Sequence, residues 1–310
     1  MNPNSIRRIA IIGFGEAGGI FGLDFAERGL EVRITDILLR ERECREAMLQ
    51  KAQRANVSAH DSLQAAVGDA DLVISAITSS ASTDAAREAA EFLSAGQIYL
   101  DINSVSPEKK REIARVIETS NARFVEAAVM APVPPQRLKV PMLLGGAWAP
   151  EAAEMLSSIG MSAKAVSDRI GVASAIKMCR SVLMKGLEAL TVECLFAARR
   201  YGAEEEVLAS LAASYPEMGW TNELPDYLVS RVAQHGRRRA AEMREVAETL
   251  NDVQLEPCMA LATAERQNWL VDQMRKSKIS YEHESFSWAA LADSIHAELE
   301  ASVPGSREKP

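Results

Sequence analysis

Residues 9–36 constrain this chain more than any other stretch. An apolar run, Ile9–Ile12, enters Gly13-Phe14-Gly15-Glu16-Ala17-Gly18; a helical stretch follows, and a second apolar run ends at Asp36. A strand that turns through Gly-x-Gly-x-x-Gly into a helix, with a carboxylate about 20 residues beyond, is the dinucleotide-binding fingerprint. Each glycine has its own reason. Gly13 permits the tight turn, Gly15 clears a side chain from the path of a pyrophosphate, and Gly18 lets the helix pack close on the strand. The helix N-terminus offers unpaired N–H groups and the positive end of its dipole to phosphates. Asp36 is placed to accept both ribose hydroxyls, which favours NAD. A 2′-phosphate there would meet a like charge, and Ile37, Leu38 and Leu39 bring no cation; Arg40 keeps NADP open. Phe14, Glu16 and Ala17 join the glycines as expected cofactor contacts, as do Ile77 and Thr78 at the end of a later strand.

At 310 residues the chain is long enough for two domains, each with a core of its own. The net charge of −8 argues against nucleic acid or an anionic membrane as a general partner, though not against an anionic substrate held in a local basic pocket. Cys44, Cys179, Cys194 and Cys258 are scattered without metal-ligand spacing, which suits free thiols in a reducing cytoplasm and gives no metal site. Cys179 reads as a small core residue. Arg7 and Arg8 before an apolar run faintly imitate a signal peptide, but glycines and Glu16 break the run at once. No stretch approaches the ~20 apolar residues of a membrane span.

Strand-like segments recur through the first half, at 6–12, 31–35, 72–76, 97–101, 123–128, 141–144 and 163–166. Amphipathic segments at 62–67, 83–93 and 107–118 lie between them, the last opened by Ser106 and Pro107 as cap and first helical residue. This alternation predicts a mostly parallel, doubly wound sheet. Beyond about Ile170 strand signals cease. Residues 171–200 carry helical periodicity without proline, enough for about 45 Å of helix. Further helical segments are expected at 203–215, 224–234, 237–250, 257–276 and 288–300, and the polar tail from Val303 to Pro310 is expected to fray.

Three segments carry candidate chemistry. Asn103 and Ser104 follow the fifth strand, where an open α/β sheet places its ligand crevice. The segment from Glu126 to Pro135 runs from a strand into a proline-rich loop, either a stiff connector or a wall with exposed backbone N–H groups; Met130 and Ala131 lie on it. The third segment, Gly171–Lys177, opens the long helix. Lys177 sits among Ala175, Ile176, Met178 and Cys179, with Ser181 and Lys185 on the same helical face. A desolvated lysine near a cation loses its proton more readily and can act as a general base. Farther on, His235 with Arg237–Arg239 is either a solvated basic helix start or a contact for an anionic substrate.

Taken in order, these blocks resemble the β-hydroxyacid dehydrogenases, the family of 3-hydroxyisobutyrate and 6-phosphogluconate dehydrogenases, over nearly the whole chain. The glycine block is Gly13–Gly18. The family's substrate block looks like Asp101–Pro107, its D-A-P-V-S-G-G block is similar to Glu126–Pro132, and its G-x-G-x-x-x-K-x-x-x-N block corresponds to Gly171–Ser181. That match puts the family's catalytic lysine on Lys177. The helical second half resembles a phosphogluconate-dehydrogenase-like branch. Two departures stand out. Met130-Ala131-Pro132 replaces serine-glycine-glycine, and Pro132 has no N–H to donate. Ser181 replaces the asparagine four residues after the lysine.

The expected architecture is an NAD(P)-binding Rossmann domain, 1–168, followed by an all-helical substrate and dimerisation domain, 169–310, built on a long inter-domain helix. The resemblance implies a cytoplasmic, NAD(P)-dependent oxidoreductase that oxidises the hydroxyl of a small polar substrate such as a β-hydroxy acid. It also implies a homodimer paired through the helical domain. In this reading Lys177 is the general acid/base, and Ser104, Met130, Ala131, Ser181, Lys185 and His235 meet the substrate. An imine reductase of the same superfamily and a non-catalytic NAD(P)-sensing protein are the alternatives; Lys177 speaks against the first.

Overall fold

The computed structural model describes residues 6–282, 284 and 286–301. The frayed tail expected from Val303 lies outside them. The chain divides into two compact units, Met1–Met178 and Cys179–Pro310. The division falls inside the long helix rather than ahead of it.

In the first unit, strands and helices alternate. In chain order they are β1 (Arg8–Ile12), α1 (Glu16–Glu27), β2 (Glu31–Thr35), α2 (Arg42–Arg54), β3 (Ser58–Ala59), α3 (Leu63–Val67), β4 (Leu72–Ser75), α4 (Ser82–Ala90), β5 (Ile98–Asp101), α5 (Pro107–Glu118), β6 (Arg123–Val129), α6 (Val133–Gln136), β7 (Pro141–Gly145), α7 (Ala149–Ser158) and β8 (Ser162–Ser167). They form one eight-stranded sheet in the order β3-β2-β1-β4-β5-β6-β7-β8. Only β7 against β6 is antiparallel among the described pairings. Chain order reverses between β1 and β4, which is the switch point of a doubly wound sheet.

Both sheet faces are covered, so the central strands are apolar on each side. Ile9 and Ile11 pack with Phe21 and Phe25 of α1 on one face. Ala10 and Ile12 pack with Val67, Ala86 and Ile113 on the other. Ser106 caps α5 as expected, its hydroxyl accepting the Lys109 N–H at 3.3 Å, with Pro107 in the first turn. Several elements escaped the sequence reading, helices α2 and α7 among them. Strand β3 is two residues held by pairing with Arg33 and Ile34. The proline-rich stretch contains the short helix α6.

The long helix α8 (Val172–Tyr201) runs on into the second unit, followed by α9 (Glu204–Ser214), α10 (Leu224–Asn251), α11 (Cys258–Lys276) and α12 (Trp288–Ala301). The core of this unit joins Val192, Leu195 and Phe196 of α8 to Val229 and Val232 of α10, Leu270 of α11 and Ile295 of α12. The segments expected at 224–234 and 237–250 are one helix. Gly236 does not break it, because it serves close packing: a Cβ there would lie 2.6 Å from Val271 Cγ2 and 2.8 Å from the Gln267 carbonyl. Cys179 is exposed rather than in the core. It falls on the outward stripe of α8, with Ile176 and Leu183.

Candidate functional site

The carboxyl ends of β1, β2, β4 and β5 bring the expected cofactor residues together. Gly13 has φ +90°, and a Cβ there would come within 2.5 Å of both the Ala76 carbonyl and Ile77 Cγ2. A Cβ on Gly18 would collide with the Gly13 carbonyl. Gly15 differs: nothing lies within 4 Å of its would-be Cβ. Packing therefore explains Gly13 and Gly18 but not Gly15. An exposed glycine at the open start of α1 fits a cradle that a ligand backbone approaches. Glu16 is exposed and Ala17 half-buried, while the Phe14 ring is fully buried and belongs to the core.

Asp36 ends β2 with its carboxylate fixed. Oδ2 accepts the Phe14 N–H at 2.6 Å and Oδ1 the Leu38 N–H at 3.0 Å. Each oxygen keeps a free lone-pair direction for a ribose hydroxyl. Two arginines that follow Asp36 in the chain are already engaged: Arg40 pairs with Glu88 at 3.0 Å and Arg45 with Asp61 at 2.6 Å. Lys51, unmarked in the sequence reading, reaches the loop from α2 and donates to the Gly15 carbonyl at 2.8 Å and to that of Phe14.

Asn103 is buried, and its side chain joins strand ends. Its Oδ1 accepts the Ile77 N–H at 2.7 Å and its Nδ2 donates to Ser75 Oγ at 2.9 Å. It positions the loop at Ile77, and Thr78 beyond it is exposed. Ser104 is half-buried. Beneath this loop lies an ion pair that sequence reasoning missed. Lys110, only 1% exposed, donates to the Asp101 carbonyl at 2.7 Å and lies 3.2 Å from its Oδ1. Its spacing with Ile113, Ala114 and Ile117 on the apolar face of α5 was the available signal.

The third block acquires a different role from the one its proline loop suggested. Glu126 is fully buried in β6 and caps the start of α8. Its Oε1 accepts the N–H groups of Gly171 and Ala173, and its Oε2 accepts both the N–H and the hydroxyl of Ser174. A carboxylate at a helix N-terminus satisfies orphan donors and complements the dipole. This cap fixes the turn that leads to Lys177, which is half-buried rather than enclosed. Met130 and Ala131 are half-buried at the end of β6, and Pro132 is exposed.

In the second unit, Ser181 and Lys185 of α8 join Glu242 of α10 in one polar cluster, and the charge of Glu242 also acts on His235. Lys185 Nζ lies 3.5 Å from Ser181 Oγ and 2.7 Å from Glu242 Oε2. Burial pushes its ammonium below the usual range, against the pull of Glu242. Arg239 belongs to the segment read as either a solvated helix start or a contact for an anionic substrate. It is buried instead and donates through Nε to Glu188 at 2.8 Å. Desolvation, then Arg231, Arg238 and Arg239, push the half-buried His235 down to about 4. Among the described residues no group of His, Cys, Asp and Glu could hold a metal ion, and no helix is long and apolar enough to cross a membrane.

Comparison with known proteins bears on the family and the fold. Residues 8–163 match the family described as the NAD binding domain of 6-phosphogluconate dehydrogenase, and residues 198–270 match a domain of unknown function, DUF1932. A conserved hypothetical protein from Sinorhizobium meliloti 1021 is 34% identical, with a TM-score of 0.78 over 94% of this chain and 96% of its own. The conserved protein MTH1747, of unknown function and described as structurally similar to 3-hydroxyacid dehydrogenases, is 31% identical, with a TM-score of 0.68 over 84% of this chain and 97% of its own. The 3-hydroxyisobutyrate dehydrogenase of Mycobacterium tuberculosis shares the fold, with a TM-score of 0.71 at 14% identity over 94% of this chain and 99% of its own. With its nicotinamide-dinucleotide domain and helical second half, the chain belongs to the β-hydroxyacid dehydrogenase family.

Proposed function

We propose that the protein is an NAD-dependent dehydrogenase acting on the hydroxyl of a small anionic substrate, with Lys177 as general acid/base. The observation that carries this reading is Lys177 itself: it sits on the first turns of α8, whose start Glu126 caps from the sheet. When bound, the nicotinamide supplies the hydride acceptor. Lys177 takes the hydroxyl proton as the carbonyl forms and returns it in the reverse direction. Ser181, about one helical turn on, offers a hydroxyl to orient the substrate oxygen. Ser104, Met130 and Ala131 are the sheet unit's own candidate substrate contacts. Asp36, with Arg40 and Arg45 held by Glu88 and Asp61, supports NAD over NADP. In the helical unit, Lys185, Arg231, Arg238 and Arg239 outnumber Glu188 and Glu242, a balance that suits an anionic substrate group.

The apolar stripe of α8, with Leu183 75%, Leu190 54% and Tyr201 87% exposed, supports pairing with a second copy of the chain. Light scattering coupled to gel filtration tests this, and a monomer at micromolar concentration rejects it.

The decisive experiment screens hydroxy acids, sugar acids and their phosphates with NAD and NADP, alongside Lys177→Ala. Turnover should fall at least ~100-fold in the variant while dinucleotide affinity is retained. Unchanged turnover removes Lys177 from the mechanism. Reduction of imines alone favours the imine reductase reading. Dinucleotide binding without turnover of any substrate favours a sensor.

A further inference from the structure

The glycine loop has a fastening that its motif does not encode. Met48 and Ala52 bury one face of α2, and Lys51 lies between them on the same side of the helix. Its Nζ donates to the carbonyls of Phe14 and Gly15, two consecutive peptide units, and lies 5.0 Å from the centroid of the Phe14 ring. Across the loop, Asp36 holds the Phe14 N–H at 2.6 Å. The loop backbone is thus gripped by a cation at its carbonyls and by an anion at one of its N–H groups.

The direction of that grip matters. No described peptide bond is cis. In a planar trans peptide the C=O and the N–H point in opposite directions. Turning the Phe14 and Gly15 carbonyls toward Lys51 turns the Gly15 and Glu16 N–H groups away from it. Both residues are exposed, and Gly15 has open space where a Cβ would stand. Two donors therefore face outward at the positive end of α1, the arrangement a pyrophosphate requires.

We propose that Lys51 is a positioning residue for the dinucleotide: by holding two successive carbonyls of the glycine loop, it orients the Gly15 and Glu16 N–H groups toward the pyrophosphate. The inference rests on the nicotinamide-dinucleotide reading of this loop. It adds a residue outside the fingerprint, on a different helix, whose charge stabilises the loop from behind. Burial pushes the Lys51 ammonium below its usual range, and the charge of Asp36 partly offsets that push.

The test is NADH fluorescence titration of the full chain and of Lys51→Met and Lys51→Arg, with melting curves of each and with ADP-ribose and adenosine as competitors. Lys51→Met should weaken NADH and ADP-ribose by about tenfold or more, since charge-assisted hydrogen bonds are lost. Adenosine, which has no pyrophosphate, should bind as before. Lys51→Arg donates to the same carbonyls and should stay within about threefold of the parent. If Lys51→Met does not fold, Lys51→Arg decides: loss of NADH binding in a folded arginine variant overturns the inference. Unchanged NADH affinity in folded Lys51→Met also overturns it, as does an equal loss for adenosine and ADP-ribose. A parent protein that binds neither NADH nor NADPH overturns the dinucleotide reading itself, and the inference with it.

Discussion

The Glu126 carboxylate accepts the Ser174 hydroxyl at 2.8 Å on one oxygen, while its other oxygen takes the Gly171 and Ala173 N–H groups at 2.7 and 3.0 Å. A strand residue thereby serves as the N-terminal cap of a helix that begins more than forty residues later in the chain. Glu126→Gln replaces one acceptor oxygen with an amide that can only donate, and faces it with donors. The expected cost is about 2–4 kcal/mol, as for other buried charge-assisted pairs. In a chain of this size each kcal/mol lowers Tm by about 2–4 °C. The turn before Lys177 loosens with the cap, so turnover should fall while NADH affinity holds. A melting temperature equal to that of the parent would show that the cap contributes nothing.

Gly15 separates folding from function. A Cβ on Gly13 or Gly18 strikes backbone, but a Cβ on Gly15 meets nothing within 4 Å. Gly15→Ala should therefore leave the melting temperature nearly unchanged. The added methyl would occupy the space a pyrophosphate needs, and NADH affinity should fall by about tenfold or more. Gly18→Ala should destabilise the fold whether or not cofactor is present. If NADH titrates Gly15→Ala as well as it does the parent, the pyrophosphate does not pass over Gly15.

Legibility in the sequence followed the range of the interactions. Strand β2 and helix α5 begin and end at the expected residues because their signals are local: an apolar run ending in Asp36, and a Ser106-Pro107 start. The dinucleotide loop was legible because a close backbone approach demands glycine at fixed spacing. Strand β3 was not, since Ser58 and Ala59 carry no apolar pattern and become a strand only by pairing with β2. Nothing in the sequence marks Lys110 or Arg239 as buried, because their partners, Asp101 and Glu188, come from other elements. Lys51 is one of many charges on α2, and only the folded chain brings it to the glycine loop. Charge type is visible in a sequence; the partner that makes burial tolerable is not.

Gly236 is the case in which local reasoning points the wrong way. Inside a helix, alanine should be favoured over glycine by about 1 kcal/mol. Here the methyl would press on the Gln267 carbonyl at 2.8 Å and on Val271 at 2.6 Å, and the first of these contacts is backbone. Overpacking of this kind costs about 1–3 kcal/mol. Gly236→Ala should therefore lower the stability of the α10–α11 pair despite its better propensity. Urea unfolding followed by circular dichroism measures it, and a rise in the midpoint would mean that the two helices part without cost.

His235 sets a pH dependence with a definite sign. Desolvation, reinforced by Arg231, Arg238 and Arg239 and opposed by Glu242, brings its pKa from 6.5 to about 4. Between those values the unfolded chain binds a proton that the folded helix refuses, so stability falls as pH drops through that window. Above pH 6.5 the residue is neutral in both states and contributes no slope. The side chain is partly open to solvent, which screens the arginines and reduces the effect to on the order of 1 kcal/mol. That corresponds to about 2–4 °C in Tm. His235→Gln removes the titration and keeps a polar group of similar reach. Melting curves at pH 7.5 and pH 4.5 should show the parent losing more than the variant by that margin. The carboxylates that titrate over the same range are common to both proteins and cancel in the comparison. Parallel losses would place His235 in an environment as hydrated as the unfolded chain.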